Sequence, residues 1–80
     1  MRYIDINGKF IRKDPKYYLQ DVLEFPEYTG NIDEIYDFLI KLDEEIEIHF
    51  INTTCMTPLL MEIFEKACED SDNISFYIDD

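Results

Sequence analysis

Apolar and polar residues alternate with a period of two in three short stretches of the chain, and repeat at helical spacing in three others. Near the start, Tyr3 and Asp5 alternate with Ile4 and Ile6, which predicts a strand. Ile46 to Ile51 alternates in the same way and sets Ile46, Ile48 and Phe50 on one face; Ile74 to Ile78 predicts a third strand. Between them, Tyr18, Leu19, Val22 and Leu23 recur at helical spacing after Asp14-Pro15, an N-cap followed by proline at the first helical position. Pro26 ends that helix. A second helix is expected from about Asn31 to Leu42. A third, opened by Thr57-Pro58 and running to about Glu69, carries Leu59, Leu60, Ile63, Phe64 and Ala67 on its apolar stripe.

Turn chemistry fills the gaps. Asn7-Gly8 predicts a tight turn that starts a brief hairpin through Lys9 to Ile11. Asp43-Glu44-Glu45 is a polar link, Asn52 to Met56 breaks the strand pattern, and Ser71-Asp72-Asn73 reads as a turn. The resulting order is strand, helix, helix, strand, helix, strand. With right-handed crossovers this predicts an α/β fold, a small three-stranded parallel sheet packed by about three helices, with the strand order left open. Neither repeats nor a linker divide the chain, so residues 1–80 are expected to form one domain.

Pro26 to Leu39, PEYTGNIDEIYDFL, separates an apolar face from an acidic one most cleanly. Asn31 and Glu34 stand at capping-box spacing, and acids in the first turn suit the helix dipole. Ile35, Phe38, Leu39 and Leu42 form the buried stripe, with Ile32 at its margin. Asp33 and Asp37 stack one turn apart on the other side, with Tyr36 and Ile40 at its edge. An acidic, aromatic helix face beside a glycine-containing turn is the best docking surface the sequence offers.

Charge narrows the partner. Nineteen acids against seven bases give a net charge of −12, a field that repels nucleic acid and anionic membrane and speeds encounter with a basic protein. No uncharged run approaches the ~18 residues of a membrane span, and Met1 leads into the first strand without a signal-peptide pattern, so a cytoplasmic location is expected. Cys55 and Cys68 lack metal-ligand spacing and read as free thiols of a reducing compartment.

Catalytic chemistry is sparse. His49, the only histidine, lies in a strand between Ile48 and Phe50, where a structural or surface imidazole is the simpler reading. Glycine-rich phosphate loops are missing from the sequence. Asp33 and Asp37 have the spacing of a carboxylate pair, but on an exposed helix both stay ionised, and the further oxygen ligands of a calcium loop are not spaced around them. Simpler roles exist for each: Asp33 as a helix N-terminal charge, Asp37 as an i, i+4 partner of Lys41, Tyr28 and Tyr36 as core-rim aromatics. The expectation is a protein without enzymatic activity, cofactor or metal, monomeric when free.

The clustering of these residues resembles the barstar family of intracellular inhibitors of secreted, barnase-type ribonucleases. Ile6-Asn7-Gly8 with Ile11-Arg12 resembles the family's opening. Pro26-Glu27-Tyr28, Gly30, Asn31, Ile32, Asp33, Ile35, Tyr36, Asp37 and Leu39 resemble its inhibitory loop and helix, and Phe64, Ala67 and Ile74 to Ile78 its close. The resemblance implies a plug for a ribonuclease active site. Asp37 would enter the phosphate-binding pocket and Asp33 support it. Tyr28 would pack on the catalytic histidine, while Gly30, Asn31 and Ile32 fill the adjoining groove. Tyr36 stands where the family has a tryptophan, Thr29 where it has an aromatic, and Lys66 where it has a second interface acid. The expected partner-binding set is Tyr28, Gly30, Asn31, Ile32, Asp33, Tyr36, Asp37 and Ile63, facing a basic protein, a barnase-like ribonuclease. The alternative is a non-inhibitory acidic interaction module for a different basic partner.

Overall fold

A computed structural model describes residues 1–80. Strands β1 (Arg2–Asn7), β2 (Ile46–Ile51) and β3 (Ile74–Ile78) form one parallel sheet in the order β1-β2-β3. The helices are α1 (Gly8–Lys13), α2 (Pro15–Leu23), α3 (Asp33–Ile40) and α4 (Pro58–Asp70), and a short 3-10 turn spans Thr53–Cys55. The α/β class and the three parallel strands are as the sequence predicts. The helix count is four rather than three.

The additional helix replaces the expected hairpin. Asn7 does not turn the chain back; its side-chain oxygen accepts from the Lys9 N–H at 3.0 Å and caps α1. The same oxygen accepts from Asn52 Nδ2 at 2.9 Å, which ties the end of β1 to the chain leaving β2. Gly8 is required for a tertiary reason. A Cβ there would lie 2.1 Å from the Asn52 carbonyl oxygen, so only glycine lets the two segments pass. Both proline-led helices start as expected, with Asp14 accepting from the Tyr17 N–H and Thr57 from the Leu60 N–H. Helix α2 ends before Pro26, at Glu24, whose left-handed backbone (φ 55°) turns its N–H back to the Gln20 and Asp21 carbonyls.

The core lies on one side of the sheet. Ile4, Ile6, Ile46, Ile48, Phe50 and Ile74 point into it and meet Leu19 and Leu23 of α2, Ile35 and Leu39 of α3, and Leu60, Phe64 and Ala67 of α4. Phe50 packs edge-on against Phe64 and Phe76, at centroid separations of 5.1 and 5.7 Å. Leu59, expected on the buried stripe of α4, instead lies in its first turn and is 57% exposed. The other side of the sheet is open. There Tyr3 aligns with Glu47 and Ser75, and Asp5 with His49 and Tyr77.

Candidate functional site

The acidic helix is stiffly mounted. Ile35 and Leu39, one turn apart, are fully buried, each contributing about 1.5–3 kcal/mol by leaving water, so the opposite side of α3 is held towards solvent. Asp33 and Asp37 are exposed on that side. The chain's ion pairs involve only Arg2, with Glu24 and Glu44, and His49, with Asp5 and Asp79. Both α3 aspartates therefore lack a cation within ion-pair distance, and the anticipated Asp37–Lys41 pair does not form.

Local bonds shape the entry to α3. The Asn31 side-chain oxygen accepts from the Asp33 N–H at 3.1 Å, a capping contact, although the regular helix begins only at Asp33. The expected capping box is not completed. Glu34 reaches back to Thr29, accepting from its N–H at 2.9 Å and its hydroxyl at 2.9–3.0 Å, not from Asn31. Gly30, at φ +103°, takes the bend between them in a conformation that glycine favours. Gln20 of α2 donates to the Tyr28 carbonyl at 2.7 Å, fastening the loop to the preceding helix.

Two depressions flank this loop and helix. One is an open groove of about 330 Å³ in which Asp37, Glu34 and Lys41 surround Phe25 and Phe38. Those rings stack at 4.3 Å with an interplanar angle of 8°. The other is a cavity of about 370 Å³ between α1, α2, the loop and the start of α4, to whose walls Tyr28, Gly30 and Ile32 contribute. The expected site residues are thus divided. Asp37 belongs to the first depression, and Tyr28, Gly30 and Ile32 belong to the second.

Tyr28 corrects the sequence reading most sharply. Its side chain is only 3% exposed and belongs to the core, so it is not presented as an aromatic contact. Burial, and secondarily the Glu34 carboxylate, raise its phenol pKa above the ordinary value. Tyr36 is half-buried, and its hydroxyl donates to Asp70 of α4; that bond is the main reason its pKa is raised. Ile63 is half-buried against the core on α4. Asn31 is exposed beside Asp33.

Sequence reasoning passed over the open sheet face. His49 lies 3.3 Å from Asp5 through Nδ1 and 3.4 Å from Asp79 through Nε2, and stacks on Tyr77 at 4.7 Å. The signal was present in the period-two alternation, which places Asp5, His49 and Tyr77 at matching positions once the strand order is known. No group of three His, Cys, Asp or Glu side chains has the geometry to hold a metal ion, and no helix is long and apolar enough to cross a membrane.

Comparisons with protein-family models, with curated proteins and with solved structures find no match to this chain.

Proposed function

We propose that this protein binds a basic protein through the solvent face of α3, and that the partner is a barnase-type ribonuclease inhibited by stoichiometric occlusion of its active site. The observation carrying the proposal is the pair Asp33 and Asp37: exposed, one helical turn apart, without a cationic partner in the chain, on a helix anchored by Ile35 and Leu39. Carboxylates held this way match a bidentate guanidinium, and no internal ion pair has to break on binding. The Phe25–Phe38 stack beside Asp37 adds an apolar floor on which the stem of an arginine or lysine rests. The ribonuclease itself is suggested by the resemblance of Pro26 to Leu39 to the barstar inhibitory segment.

Titrating a barnase-type ribonuclease with the protein tests this directly. Activity should fall linearly and vanish near one equivalent; full activity at excess protein would overturn the inhibitor reading.

The burial of Tyr28 favours a second reading, because a plug that packs an exposed tyrosine on the enzyme's histidine lacks that side chain here. In this alternative the same acidic helix face serves a non-inhibitory module for another basic protein. It forms a stable 1:1 complex whose partner has no nuclease activity, which affinity capture followed by an activity assay of the captured protein distinguishes.

A further inference from the structure

The acidic molecule has one basic region, and it borders the larger cavity. Residues 9–16 carry Lys9, Arg12, Lys13 and Lys16, four of the seven bases in the chain, against the single acid Asp14. None of the four is in an ion pair; those pairs are confined to Arg2 and His49. Asp14 is engaged in capping α2, and Lys16 leans over the ring of Tyr17 at 5.4 Å. Arg12, exposed at the end of α1, contributes to the cavity wall. Among its other walls, Ile11, Leu19, Tyr28 and Leu60 are buried and Ile32 half-buried, so the lining is largely apolar with Arg12 as its one charged residue.

A cavity of about 370 Å³ with apolar walls and a few polar groups falls in the size range of small-ligand sites. Its charge selects the ligand. A neutral apolar molecule entering here would cover part of the Arg12 guanidinium without replacing its water, which opposes binding. A molecule with an apolar body and an anionic head satisfies both surfaces at once, because guanidinium pairs strongly with a carboxylate. Elsewhere the acidic surface turns anions away.

We infer that the cavity between α1, α2, the Tyr28–Ile32 loop and the start of α4 binds a small amphipathic anion, with an aromatic or branched aliphatic body among Ile11, Leu19, Ile32 and Leu60 and a carboxylate at Arg12. The site is opposite in charge to the α3 face and does not depend on the proposed protein partner.

The test is a methyl NMR titration of the full chain with 4-phenylbutyrate, and in parallel with its neutral analogue 4-phenylbutan-1-ol. Methyl signals of Ile11, Leu19, Ile32 and Leu60 should shift and saturate as a single site, with the carboxylate bound about tenfold more tightly than the alcohol. Arg12→Gln changes an exposed side chain and should remove that preference; Lys66→Gln, which deletes the same charge elsewhere, should preserve it. Unmoved cavity methyls would overturn the inference. So would a preference that survives Arg12→Gln, or shifts centred on Phe25 and Phe38 instead.

Discussion

Individual residues show how tertiary contacts redefine local signals. Gly8 follows Asn7 in a dipeptide that marks a turn, yet its role is to leave room for the Asn52 carbonyl. Gly8→Ala should therefore destabilise the fold by about 2 kcal/mol or more, measured by urea unfolding, because backbone stands where the methyl would go. An unchanged midpoint would show that the two segments separate easily. The thiols differ as well. Burial, reinforced by the Glu65 carboxylate, pushes the Cys68 thiol up to about 11, whereas Cys55 lines the cavity beside α1. Near pH 8, Cys68 should be alkylated much more slowly than Cys55, as mass spectrometry of partly labelled protein would reveal. Because the folded state holds the Cys68 proton more tightly than the unfolded chain does, this thiol's contribution to stability is complete below about pH 9. It is lost as the pH rises towards about 11. Neither the glycine's neighbour nor the thiol's burial was legible in the sequence, since both depend on segments distant along the chain.

At the scale of elements, sequence and structure agree wherever one local pattern decides the outcome. The alternation in Ile46 to Ile51 becomes a strand whose Ile46, Ile48 and Phe50 are wholly buried, and Asp14-Pro15 and Thr57-Pro58 open α2 and α4. They differ where two local signals compete. Asn7 could turn or cap, and it caps because α1 buries Ile11 against the core. Glu34 could complete a capping box or hold the loop, and Thr29 offers it both an N–H and a hydroxyl. Tyr28, in a segment with no periodicity to assign it a face, packs inward. The acidic face of α3 was legible because helical spacing alone separates Asp33 and Asp37 from Ile35 and Leu39. Replacing Phe64 tests the element packing: Phe64→Ala should cost about 3–5 kcal/mol, since the ring is fully buried against Phe50 between α4 and the sheet. A loss below about 1 kcal/mol would mean that α4 repacks freely.

For the whole molecule, the distribution of charge matters more than its sum. Four bases cluster in residues 9–16, while the acids spread over the rest of a body with extents of 30 × 28 × 20 Å. With a Debye length of about 8 Å at physiological ionic strength, a partner at α3 senses mainly the charges nearest that face. Association with a basic protein should thus be fast and salt-sensitive, and stopped-flow rates should fall steeply as ionic strength rises. Dissociation should change far less, because it reflects the contacts already formed. Rates indifferent to salt would mean that apolar contact, not charge, directs the encounter.

The most direct measurement separates the two α3 carboxylates from the overall charge. Calorimetric titration of a barnase-type ribonuclease, the proposed partner, would compare the Asp33→Asn/Asp37→Asn protein with a Glu69→Gln/Asp72→Asn protein of equal net charge. If Asp33 and Asp37 anchor the partner, the first protein should lose affinity by about tenfold or more while the second stays within about twofold of the parent. Equal losses in the two would contradict a local anchor on α3 and leave only a general attraction between an acidic molecule and a basic one.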